Sequence, residues 1–195
     1  MSGRLVIDLA RESDIPALND HIAASASVLC ARFYQPDCVA AAIKHVFGVD
    51  SQLVQAGCYF VARVRGEIVG CGGWSPFVTL FGADQAAGRD DRQLDPMRDA
   101  ARIRAFFVAP DWTRAGIGSA LLEHCEMEAL EAGFTRVTLM ATLSGMNFYL
   151  SQGYEAQDDY VAKLGGASIR FVPMHKSLLA AGRTPHPIEQ SLAAR

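Results

Sequence analysis

The chain lacks a long uncharged apolar run, a surplus of either charge, and any cysteine spacing that suggests a staple or a metal site. Its 195 residues hold 18 Lys+Arg against 21 Asp+Glu, a formal charge of −3. A basic footprint is therefore missing, and nucleic acid is not an expected partner. No apolar stretch approaches the ~20 residues that cross a bilayer, so no membrane engagement is expected. The N-terminal MSGRLVIDLARESD meets Asp8 too soon for a secretory apolar region. Cys30, Cys38, Cys58, Cys71 and Cys125 are odd in number and form no CxxC pair. That pattern suggests neither a disulfide framework nor a metal site and fits a reducing, cytoplasmic setting. Internal repeats and low-complexity blocks are also lacking. What is present is an apolar fraction of 50%, ample for the core of one packed domain.

The elements are readable from periodicity and punctuation. Leu5–Leu9 reads as a strand, then a helix capped by Ser13 with Pro16 in its first turn runs to about Cys30. A second helix spans about Pro36 to Phe47. Cys58–Val64 and Glu67–Trp74 flank Arg65-Gly66 as a hairpin. Residues 82–100 are polar and Asp-rich and read as a long surface loop. Ile103–Val108 is a strand, Ile117–Ala132 a helix stopped by Gly133, Val137–Met140 a strand and Met146–Ser151 a short helix. A closing hairpin uses 155–163 and 168–174. The order predicts an α/β fold, one mixed and mostly antiparallel sheet with helices on both faces. Residues 4–176 form the expected domain, and 177–195 a loosely structured tail.

Chemistry concentrates in Arg102–Tyr154. A strand (IRAFFV) meets a turn (APDWTRAGIG) that runs directly into a helix (SALLEHCEMEALEAG). Glycines at 116 and 118 let the backbone approach a ligand, and the helix N-terminus favours an anion by ~0.3–1 kcal/mol. Arg114 adds a full charge. A plain strand–helix turn would need the same glycines, so both readings stand on this segment alone. The third glycine of a dinucleotide loop is replaced by Leu121, and the G-K-[ST] of a nucleotide-triphosphate loop is missing.

FFVAPDWTRAGIGSALL resembles the acetyl-CoA signature of the GNAT N-acetyltransferases, Q/R-x-x-G-x-G/A. ATLSGMNFYLSQGY resembles the family's second motif, a helix with a tyrosine followed by Gly-aromatic. The resemblance is strongest over 101–154 and extends loosely over 4–176. It implies transfer of an acetyl group from acetyl-CoA, as co-substrate and without a metal, to an amine of a small molecule or protein in a ternary complex. It places the pantetheine arm along the backbone of Phe106, Phe107 and Val108, with an amide there, Phe106's first, polarising the thioester carbonyl. It places the pyrophosphate at Thr113, Arg114, Ala115, Gly116, Ile117, Gly118 and Ser119. Asn147 would touch the cofactor arm, and Tyr149 would protonate the leaving thiolate. A homodimer through the C-terminal strands is an assembly the family uses.

Two positions depart from the family pattern. Thr113 stands where Gln or Arg is usual. The strand Ala101–Ala105 carries arginines where many members keep a carboxylate or histidine as general base. A catalytically silent acyl-CoA-binding sensor is the alternative reading that this departure supports. Arg102 and Arg104, sharing one face with Phe106 by strand alternation, are either exposed partners of the Asp-rich loop or a grip for an anionic acceptor. In the second case the proton would pass to water or to an acid of the 82–100 loop such as Asp95 or Asp99. Trp74, with Phe77 and Phe81, is either core or acceptor cleft. Tyr34 falls in the region the family uses for the acceptor.

Overall fold

The computed structural model describes residues 3–86, 90–164 and 166–179. In chain order the elements are β1 (Leu5–Leu9), α1 (Ile15–Leu29), α2 (Pro36–His45), α3 (Ser51–Gln55), β2 (Tyr59–Val64), β3 (Glu67–Ser75) and β4 (Ala101–Val108). Then come α4 (Ile117–Glu131), β5 (Arg136–Thr142), α5 (Met146–Ser151), β6 (Glu155–Ala156), β7 (Tyr160–Leu164) and β8 (Ala167–Ser177). Single 3₁₀ turns at Glu12–Asp14 and Pro110–Trp112 precede α1 and α4.

Eight strands form one sheet in the order β1-β2-β3-β4-β5-β8-β6, with β7 also on β8. Every pairing is antiparallel except β4–β5. The expected α/β architecture, mixed and mostly antiparallel with helices on both faces, is the one observed. One face carries α4 and α5 over Phe60, Trp74, Ile103, Leu121 and Leu139. The other carries α1, α2 and α3 over Tyr59, Val61, Cys71, Ile169 and Phe171. Alternation of side chains along β2 and β3 divides the two cores.

Four local features differ from expectation. α1 starts after Asp14 and not at Ser13, because Asp14 Oδ2 accepts the Arg11 amide at 2.9 Å and Oδ1 accepts from Arg63. α3 is additional, since five residues give no periodic signal; Asp50 starts it by accepting the Gln52 amide. The 82–100 segment is pinned at both described ends: Ala83 N donates to Val46 O, and Leu94 N to Pro76 O. Residues 87–89 lie outside the described residues, as does the expected tail from 180 onward. Ser177, expected in that tail, instead ends β8.

The feature that positions the site is a failure of pairing. β4 and β5 are bonded in register only at Ala101–Val137 and Arg102–Thr138. Beyond these pairs the two parallel strands separate, and a cleft opens between their C-terminal halves.

Candidate active site

The cleft encloses about 950 Å³ and is lined by β4 from Ile103 to Val108, the 110–119 turn, the ends of β5 and α1, α5, and residues 46–48 and 80–82. Its α4 rim is made of backbone. Arg114 (φ 66°) and Gly116 (φ 84°) are both left-handed, a conformation that turns successive amides toward one point. The amides of Thr113 and Ala115 are spent on Pro110 O and Trp112 O, at 3.3 and 3.4 Å. Those of Arg114, Gly116, Ile117, Gly118 and Ser119 have no acceptor among the described residues. Of the seven turn residues expected at a pyrophosphate, five therefore offer free donors at the N-terminus of a fifteen-residue helix. A Cβ at Gly116 would meet nothing within 4 Å, so that glycine opens onto free space. Gly118 instead makes room for a neighbour, since a Cβ there would lie 3.3 Å from the Phe148 ring.

The β4 rim is an open strand edge. Ala109 N donates to Val69 O, and Phe107 lies across from Cys71. In antiparallel pairing such residues alternate, so Phe107 turns its backbone toward β3 and Val108 turns its own toward the cleft. Ser25 Oγ, on α1, donates to Val108 O at 2.7 Å, which leaves the Val108 N–H for a guest. His21 Nε2 lies 3.4 Å from Phe107 O, and burial holds its pKa below the usual range. Phe107 thus contributes its ring to the cleft and not its amide, a correction to the expected backbone trio. Ser25 and His21 carry no signal in the sequence, since nothing in a helix reveals which strand carbonyl it will meet.

A β-bulge decides where the β4 side chains go. Gly73 pairs with Arg104 but Cys71 with Phe107, so three residues of β4 answer two of β3. Ala105, at φ 51°, takes up the extra residue. Side-chain parity flips across it: Ile103 and Phe106 face α4, whereas Ala105 and Phe107 face α1 and α2. Arg104 and Phe106 are therefore on opposite faces, and the expected shared face does not exist.

Four expected substrate contacts are corrected. Arg104 reaches the cleft wall but is 3% exposed and spent: it pairs with Asp50 at 3.0 Å and donates to Thr79 O at 2.7 Å. Arg102 is not on the described lining; it donates to Ala100 O, and its Nε is sealed without a partner among the described residues. Trp74 is core, 6% exposed and 6.1 Å from the Phe134 ring. Tyr34 donates to Arg170 O and accepts from the Leu143 amide, both at 2.7 Å, which makes it a strap between elements. Asp95 and Asp99 hold their own turn and lie outside the lining.

On α5, Asn147 is exposed to the cleft and Tyr149 is 8% exposed. The Tyr149 ring packs between Phe148 at 5.0 Å and Tyr154 at 5.5 Å. Its hydroxyl has no hydrogen-bond partner among the described residues. Burial pushes the phenol's pKa up, with Cys125 adding to it. The group stays protonated at neutral pH, yet gives up its proton less readily than a free phenol with a pKa of ~10. Behind it, Tyr154 donates to Glu126, which also binds Lys176.

The charged side chains on the described lining are Arg32, Arg104 and Arg114; no Asp, Glu or His is among them. Among the described residues no three His, Cys, Asp or Glu side chains are grouped to hold a metal ion. What the arrangement offers is a slot for an extended arm along a strand edge, ending in free amides suited to phosphate, with a phenol alongside.

That combination defines the GNAT class, and the comparisons agree. The family profile described as Acetyltransferase (GNAT) domain matches residues 55–156, just over half of the chain. The chain belongs to this acetyltransferase family. Among solved structures it is similar to a GCN5-related N-acetyltransferase from Rhodopseudomonas palustris, with 21% identity, TM-score 0.64, and 91% of this chain and 97% of that one covered. It is also similar to the PaiA N-acetyltransferase of Thermoplasma acidophilum in complex with coenzyme A, with 14% identity, TM-score 0.62 and coverage of 89% and 99%. A third is YncA of Salmonella typhimurium with acetyl-CoA, with 15% identity, TM-score 0.59 and coverage of 94% and 99%. No curated protein sequence matches the chain. No helix among the described residues is long and apolar enough to cross a membrane.

Proposed function

We propose that this protein is an acetyl-CoA-dependent N-acetyltransferase that acts on an amine by direct transfer. The observation that carries the reading is the continuity of the cleft. The free amides of Arg114, Gly116, Ile117, Gly118 and Ser119, the open N–H of Val108, and Tyr149 all border one space. Its donors suit a pyrophosphate and an amide-bearing arm, and the open space at Gly116 admits the former's close approach. Acetyl-CoA would bring the activated acetyl group. The chain's part is to hold the arm along β4, to set backbone N–H groups of the bulge against the thioester carbonyl, and to keep a protonated phenol at Tyr149 beside the leaving sulfur. Asn147, exposed on the cleft lining, would contact the arm. The amine acceptor belongs to a small molecule or a peptide.

Calorimetry with acetyl-CoA, followed by thiol release with an amine panel, tests this. Binding with amine-dependent thiol release supports the reading. Binding without turnover on any amine returns the acyl-CoA sensor, favoured by the lack of Asp, Glu or His on the described lining. No binding overturns both.

A further inference from the structure

The α1–α2 wall of the cleft is built of rings. Phe47 stands edge-on to Phe107 at 5.4 Å and to Phe171 at 6.3 Å, and Phe81 tilts against Phe171 at 5.6 Å. All four line the cleft, with Met140 beside them. Ring edges and a thioether are good neighbours for another aromatic group. Charge argues the same way. Arg104 is matched by Asp50, so its donors are committed. Arg32 and Arg114 have no ion-pair partner among the described residues, and Arg114 lies on the turn that would face the phosphates. A second cationic group on the acceptor would find no carboxylate on the described lining to answer it.

The proton decides the kind of amine. With no Asp, Glu or His on the described lining, nothing there takes a proton from an ammonium. A Lys-like amine, with a reference pKa of ~10.4, is almost wholly protonated at pH 7 and would have to shed its proton to water first. A weakly basic amine arrives as the free base and avoids that loss.

We propose that the acceptor is a weakly basic amine carried directly on an aromatic body, bound against Phe47, Phe81, Phe107 and Phe171. This rests on the acetyl-transfer reading above. The amine lone pair attacks the thioester carbonyl carbon, and the C–S bond breaks with its electron pair passing to sulfur. The sulfur takes the Tyr149 proton, the nitrogen releases its own proton to water, and water restores the phenol.

The test uses the intact protein saturated with CoA and saturation-transfer NMR with aniline, spermidine and glutamate as probes. Aniline ring signals are expected to respond, and the response should weaken about tenfold in Phe81→Ala. Phe81→Leu serves as the milder variant if the first unfolds. In thiol release with acetyl-CoA, kcat/KM for aniline should be level from pH 6 to 8. For phenethylamine it should climb about tenfold per pH unit, following the free base. Preference for spermidine or glutamate, or a folded Phe81 variant that binds aniline unchanged, overturns the proposal. CoA bound with no ring response overturns this proposal alone, whereas failure of CoA to bind overturns the acetyl-transfer reading beneath it.

Discussion

The two rims of the cleft are built on opposite principles. On the α4 side, five of the seven residues 113–119 present free backbone amides, and Arg114 and Gly116 hold the turn with a left-handed φ. On the α1–α2 side, the surface is side chains drawn from α2, β4, β8 and two loops, brought together over separations of more than a hundred residues. The first rim is local and tolerant of sequence change. The second is tertiary, and depends on a buried ion pair to hold its loops in place.

Arg104→Met should strike the second rim hardest. It leaves the Asp50 carboxylate, 1% exposed, without its cation. Removing one partner of a buried pair costs ~3–5 kcal/mol, which urea unfolding would register. Asp50→Asn with Arg104→Met should recover part of that loss. An unchanged unfolding midpoint in Arg104→Met would show that the pair contributes nothing.

Tyr149→Phe separates chemistry from either rim. General acid catalysis contributes ~10²–10⁴-fold, so kcat should fall by about a hundredfold or more. Acetyl-CoA affinity should hold, because the ring stays between Phe148 and Tyr154. Unaltered turnover, with chemistry rate-limiting, would make Tyr149 a packing residue.

Gly116→Val breaks the first rim. A Cβ there meets nothing within 4 Å, so folding should survive apart from the ~1–2 kcal/mol penalty of a left-handed β-branched residue. It occupies the space before the free amides, and acetyl-CoA affinity should fall by about tenfold or more. Calorimetry on the folded variant showing wild-type affinity would remove the turn from the binding site.

The smallest effect concerns the strap from the α1–α2 loop to β8 and the end of β5. Burial pushes the Tyr34 hydroxyl up to about 12, against an unfolded value near 10. With the folded pKa raised, its stabilising contribution is complete below pH ~10 and is lost as pH rises toward 12. Tyr34→Phe should cost ~1 kcal/mol at neutral pH and flatten the loss of melting temperature between pH 10 and 12. An identical alkaline profile would show that the strap does not govern that range.

These differences follow what can be read along the chain. The turn, the glycines and the run from β4 into α4 are contiguous, and each acts through its own backbone, so the motif is visible in a line of text. The helix stripe with Leu121 and Cys125 is visible for the same reason, since a 3.6-residue period reports one face. The arginines on β4 mislead because alternation assumes an unbroken strand, and Ala105 carries no mark of a bulge: alanine is not a residue that favours a positive φ. Tyr34 and Trp74 mislead because a side chain's partner lies on another element. For Tyr34 these partners are the carbonyl of Arg170 and the amide of Leu143.

By itself, then, the sequence determined the alternation of strands and helices, the two apolar faces and a glycine-bearing turn that runs from a strand into a helix N-terminus. Each depends on residues within a turn or two of one another. Tertiary structure alone decided that β4 and β5 part after two pairs, that a bulge sends Arg104 to Asp50, and that four phenylalanines meet at one wall. Strand splaying, side-chain parity beyond a bulge and cross-element packing are set by how the whole sheet twists and closes on its helices, and no short stretch of chain carries that information.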